Sequence, residues 1–192
     1  MQRLAPATIA MAAALAVSAS RSWAQGLVLD TFNAGSKPNA LGGDFGSWNV
    51  DPQDRTQYTR DSFNQPNALG GSGYCLRLDY DVDSPNPAYN GFWSKLNRVD
   101  LRSYQALTFY VKGDSHRGFT RTFRIELKNV HGETGRTLVQ GVTNQWQAVR
   151  VPLGAFAGLT DWRRMTEFVI VFDDLTTEPK TGTLYLDELV FE

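Results

Sequence analysis

The sequence predicts an all-β protein built as a sandwich or barrel of short strands. Three observations predict it. Apolar and polar residues alternate with period two in one segment after another. Gly, Pro, Asn and Asp interrupt that alternation roughly every ten to fifteen residues. Helical periodicity is scarce beyond the first two dozen residues, and many short strands at such spacing mean a sandwich or barrel.

The first segment reads differently from the rest. Arg3 precedes an apolar, Ala-rich run from Ile9 to Val17. Ser22-Trp23-Ala24 then has the small-x-small pattern read by signal peptidase. The expectation is a signal peptide over residues 1–24, with Gln25 as the new N-terminus. The apolar run is too short to span a bilayer, so no membrane span is expected after processing. Residues 25–192 are then expected to form one domain, secreted or periplasmic, and large enough for a sizeable core.

The strand signals follow in order. "LVLDTF" opens the domain. "YCLRLDYDV" sets Tyr74, Leu76, Leu78, Tyr80 and Val82 on one face, opposite Cys75, Arg77, Asp79 and Asp81. "ALTFYVKGD" turns Leu107, Phe109 and Val111 inward and Thr108, Tyr110 and Lys112 outward. "TFRIELKN" buries Phe123, Ile125 and Leu127 and shows Arg124, Glu126 and Lys128. "WQAVRVPL", "EFVIVFDD" and "GTLYLDELVFE" complete the set. "FAGLTDWRRM" is expected to hold one short helical turn. The hexapeptide "PNALGG" occurs at 38–43 and again at 66–71, but its flanks do not align and no third copy exists. A repeat architecture needs several copies of one unit, so the echo reads as shared turn chemistry in two loops near one rim.

Composition excludes several functions. The formal charge is −1 and there is no basic run, so nucleic acid is not an expected partner. The single cysteine, Cys75, cannot form an internal disulfide and reads as a small buried thiol. There is no G-x-S-x-G, no H-E-x-x-H and no phosphate-cradling Gly-Lys loop. His116 and His131 lie in polar loops. A pair of acid groups can still meet in space. Glu126 and Glu167, both in strand patterns, are the candidates for a hydrolytic pair.

Aromatic and planar polar side chains are abundant. Sugars stack their flat C–H faces on aromatic rings and exchange paired hydrogen bonds with Arg, Asp, Glu, Asn and Gln. "AYNGFWSKLN" offers Tyr89 and Trp93 for stacking. Arg124, Glu126 and Lys128, beside Tyr110 and Lys112, offer hydrogen bonds. The alternative for the same residues is a solvated sheet face, with the tryptophans filling the core.

Several stretches resemble a known family. "LDTFN…NALGGDFGSW", "GYCLRLDYDV", "YNGFWSKLNRVDLRSYQALTFYVKGD", "FRIELKN", "WQAVRVPLGAF" and "GTLYLDELVF" together are similar to the bacterial galactose-binding-like jelly rolls. Within these, the likeness is to family-11-type carbohydrate-binding modules and the related complex I intermediate-associated domains. It implies a two-sheet jelly-roll β-sandwich over roughly 27–192. It also implies a concave sheet or loop rim that binds β-glucan or another poly- or oligosaccharide without catalysis. Tyr89 and Trp93 would stack on the sugar, and Tyr110, Arg124 and Glu126 would bond its hydroxyls. The intermediate-associated relatives imply a rival function, envelope assembly through a protein partner. A glycoside-active enzyme is the third reading. The resemblance further implies a structural Ca2+ near the chain termini. First and last strands lie close together in a jelly roll, so Asp30 and Asp187 are the expected ligands, helped by carbonyls from Gly35 to Asn39. The competing role for both aspartates is to cap turns or accept backbone N–H bonds.

Overall fold

Two antiparallel sheets face each other in the computed structural model, which describes residues 26–192. The expected signal peptide and its cleavage site lie outside the described residues. Sheet one has the order β3 (Tyr58–Asn64), β4 (Cys75–Asp81), β11 (Thr181–Phe191), β6 (Ala106–Gly113), β9 (Gln147–Pro152). The first strand, β1 (Leu27–Asp30), also pairs β11. Sheet two has the order β2 (Phe45–Asn49), β5 (Tyr89–Val99), β10 (Met165–Asp173), β7 (Thr122–Asn129), β8 (Thr134–Gln140). This is the all-β two-sheet jelly roll that the sequence implied.

The core lies between the sheets because each strand turns its apolar set inward. Leu76, Leu78 and Tyr80 of β4 meet Phe168, Ile170 and Phe172 of β10 in one buried cluster. Leu107, Phe109 and Val111 of β6 and Phe123, Ile125 and Leu127 of β7 join it, all fully buried as their alternation demands. At its centre Phe172 stacks on Tyr80, ring centroids 4.3 Å apart and 16° from parallel. Cys75 is buried as well, and burial, with Asp187 adding to it, pushes its thiol up to about 12. That keeps it protonated and inert.

Several local expectations are corrected. The helical turn falls at Leu153–Ala155, just ahead of the segment expected to hold it. Tyr74 is partly exposed rather than part of the core, because β4 begins one residue later. A short 3-10 turn, Leu69–Gly71, forms inside the second "PNALGG".

The two copies of that hexapeptide share turn chemistry and a neighbourhood. Gly42 and Gly70 occupy the same place in each copy, and both have φ of 72°. The Asn39 amide brackets its loop. It accepts from the Leu41 and Gly43 N–H groups and donates to Ser94 Oγ and the Lys95 carbonyl. Asn67 does related work on sheet one, accepting from Lys112 Nζ through its side chain and from Trp146 Nε1 through its carbonyl. The loops around them touch: Gly35 lies against the Tyr74 ring and Gly73 against Asn33.

Candidate functional site

The site is built by register on the outer face of sheet two. Pairing aligns Lys95, Glu167, Lys128 and Thr134 in one row across β5, β10, β7 and β8. The next row holds Gly46, Trp93, Val169, Glu126 and Arg136. A third holds Trp48, Gly91, Val171, Arg124 and Leu138. Tyr89 pairs Asp173 beyond it. Outward side chains of successive residues on one strand lie two apart, so these rows share a face. They enclose an open groove of about 720 Å³.

The groove has an aromatic side and a charged side. Trp48 and Tyr89 meet edge to face with centroids 5.8 Å apart. Tyr89 is 43% exposed, unusual for so large a ring. A Cβ at Gly91 would collide with the Ile170 carbonyl and would also crowd Trp48 Nε1 at 3.2 Å. That Trp48 Nε1 is buried and has no hydrogen-bond partner among the described residues. The Lys95 ammonium lies 5.1 Å from the centre of the Trp93 ring. Val169 and Val171 form an apolar floor between the two sides.

Across that floor runs a shared ion-pair network. Glu167 accepts from Lys95 Nζ at 2.7 Å and from Lys128 Nζ at 2.9 Å. Burial alone would raise the Glu167 carboxyl, but the two ammonium groups outweigh it and hold it below the ordinary range. Glu126 Oε1 accepts from Nε of both Arg124 and Arg136, each at 3.1 Å. Arg124 also donates from Nη1 to Asp173 at 2.8 Å. The side chains are therefore held in place before any ligand arrives.

Of the residues expected to bind sugar, Tyr89, Trp93, Arg124 and Glu126 come together in this groove. Tyr110 does not, which is a correction. It lies on β6 of sheet one, 8% exposed and paired with Asp187 and Ala148. Consecutive strands β6 and β7 belong to opposite sheets, so outward residues on the two point to opposite sides of the protein. Lys112 goes with Tyr110. Sequence reasoning missed Trp48, Lys95 and Arg136 as groove residues. A period-two reading of "FGSWN" and "TGRTLVQ" carries the signal for Trp48 and Arg136, but faintly in such short strands.

A second cluster sits where β1 meets β11. β4 pairs β11 up to Leu186, and β1 takes over the same edge at Leu189, so Asp187 and Glu188 span the junction. Asp187 is 2% exposed and accepts from the Leu69 and Glu188 N–H groups. Burial, together with the nearby acid groups of Glu188 and Asp30, pushes it up to about 6. Asp30 accepts from the Phe32 N–H at 2.7 Å and is also raised by burial. Neither is ion-paired among the described residues. No group of three or more His, Cys, Asp or Glu side chains suited to a metal occurs among the described residues, so a cation here would need backbone oxygens too.

A two-sheet jelly roll with an aromatic and polar groove on one sheet defines a β-sandwich carbohydrate-binding module. Residues 42–192 match the family described as Carbohydrate binding domain 30, and the chain belongs to that family. No curated protein sequence matches the chain. Among solved structures, a family 11 carbohydrate-binding module of the cellulosomal cellulase Lic26A-Cel5E of Clostridium thermocellum is similar in fold. Its TM-score is 0.62 at 14% identity, over 86% of this chain and 93% of that one. The family 11 module from Clostridium thermocellum in complex with a β-1,3-1,4-mixed-linked tetrasaccharide gives 0.63 at 14% identity, over 86% and 94%. The Caldicellulosiruptor saccharolyticus CBM27-1 in complex with mannohexaose gives 0.56 at 16% identity, over 87% and 96%. The protein is thus a carbohydrate-binding jelly roll. Among the described residues no helix is long and apolar enough to cross a membrane.

Proposed function

We propose that this protein is an exported, non-catalytic module that holds a glycan chain in the groove of sheet two. One observation carries the reading: strand register gathers Trp48, Tyr89 and Trp93 opposite Arg124, Glu126 and Arg136 around a single open groove. Aromatic faces supply stacking and the polar side chains supply paired hydrogen bonds, which is the chemistry a pyranose needs. The groove is open, as a polymer running through it requires. Signal-peptide features in residues 1–24 support secretion or a periplasmic location.

Catalysis by Glu126 and Glu167 has little physical support. A glycosidase needs one of the two to hold its proton, whereas Glu126 is ion-paired to Arg124 and Arg136 and Glu167 to Lys95 and Lys128. Envelope assembly through a protein partner remains the rival use of the same face. A glycan array separates the two. Selective binding to one polysaccharide class, β-glucans included, is expected; silence across glucans and cell-wall polymers would favour the protein partner.

Structural Ca2+ at Asp30 and Asp187 belongs to the same proposal. Two buried acid groups that repel each other fit a seat for a hard cation, and carbonyls of the 35–39 loop would complete its shell. The cation would tie the first strand to the last. A ligand bound only by the folded state stabilises it by mass action, about 2.7 kcal/mol at a hundredfold excess over Kd. Millimolar calcium is therefore expected to raise the melting temperature, by about 5–11 °C in a domain of this size. Asp187→Asn is expected to remove that difference. A wild-type melting curve unmoved by chelator, with no metal by elemental analysis, would remove the site.

A further inference from the structure

We infer that the groove selects a glycan bearing acid groups, either uronic carboxylates or sulfate esters. This rests on the reading above that the groove holds a carbohydrate. Four basic side chains, Lys95, Lys128, Arg124 and Arg136, line the groove. Three carboxylates answer them: Glu167 is divided between the lysines, Glu126 between the arginines, and Asp173 takes Arg124. The local balance is positive while the whole chain carries −1. The charge therefore belongs to this face and is not a property of the surface at large.

Hydrogen-bonding capacity points the same way. A neutral polysaccharide offers hydroxyls, which donate as readily as they accept. Here most acceptors are already engaged with the protein's own donors; of these carboxylate oxygens only Glu126 Oε2 takes no bond among the described residues. Donors are left over: Arg136 commits only its Nε to the network, and its side chain is 61% exposed. Its terminal amino groups form the planar fork that matches a carboxylate or sulfate. Each lysine ammonium gives Glu167 one bond and has two further protons. The aromatic side lies across the valine floor, two strands away from β7. A sugar ring resting against Trp93 over that floor would turn a substituent toward the arginines.

The test compares three soluble polymers on the same protein: a polyuronate, a sulfated galactan and a neutral mixed-linked β-glucan, each titrated at low and at high salt. At low salt at least one acidic polymer is expected to bind about tenfold or more tightly than the neutral glucan, as a charge-assisted bidentate contact implies. Its affinity is expected to fall as salt rises. Arg136→Gln is expected to weaken that binding about tenfold and to flatten its salt dependence. Preference for the polyuronate assigns carboxylate recognition, and preference for the galactan assigns sulfate. Trp93→Ala must weaken the acidic polymer as well. If it does not, the attraction is bulk charge and the inference fails. Equal or tighter binding of the neutral glucan, independent of salt, overturns the inference while leaving the groove as a sugar site. Absence of binding to all three overturns both.

Discussion

Phe172→Ala is expected to destabilise the domain by about 3–5 kcal/mol, the usual cost of emptying a buried aromatic site. Phe172 is fully buried on β10 and bridges the sheets, stacked on Tyr80 and 6.2 Å from the Phe123 centroid. The loss combines the transfer free energy of the ring with a cavity that two flat neighbours cannot close. For a domain of this length it corresponds to a fall of about 6–20 °C in the melting temperature. Phe172→Leu keeps most of the volume and is expected to cost under about 1.5 kcal/mol. Thermal denaturation of the two variants measures the contrast, and equal, small losses would mean that the stack carries little of the core.

Trp93→Ala is the matching experiment on the groove. Its ring is partly exposed, one row from the Trp48–Tyr89 pair, with lysine ammonium groups beside it. If it stacks on sugar, truncation is expected to cost about 1–3 kcal/mol of binding, as for aromatic platforms under nucleic-acid bases. That is a roughly 5- to 150-fold weaker Kd. Stability is expected to change by no more than about 0.5 kcal/mol, as for other surface positions. Calorimetric titration beside a melting curve separates the effects. A large loss of stability with unchanged affinity would make Trp93 a packing residue.

The inward faces of the central strands were legible because burial imposes alternation there. Phe123, Ile125 and Leu127, or Leu107, Phe109 and Val111, announce their side without any knowledge of partners. β2, β3 and β8, all edge strands, gave only a faint signal. An edge buries less, so polar residues such as those of "YTRDSFN" are tolerated. β5 is central yet hides its pattern, because Asn90 and Ser94 alternate with Phe92 and Leu96 on its inward face. The groove was half legible for a related reason. Alternation says which residues face out but not which sheet a strand joins. Arg124 and Glu126 were rightly read as outward, and Tyr110 was wrongly set beside them. The row Lys95, Glu167, Lys128 joins three strands distant in sequence, and only register reveals it. The Asp30–Asp187 approach was legible by contrast, because pairing of first and last strands follows from the fold itself.

If sheet two, and not sheet one or the loop rim, holds the glycan, the indole N–H signals of the tryptophans report it. Trp48 and Trp93 line the groove. Trp146 lies just ahead of β9, at sheet one, donating to the Asn67 carbonyl, and Trp162 packs against the core beside Phe156. Titrating 15N-labelled protein with the glycan that binds best should shift the Trp48 and Trp93 indole resonances and leave those of Trp146 and Trp162 in place. Movement of Trp146 with Trp48 and Trp93 unmoved would put the sugar on the other face, against a groove on sheet two.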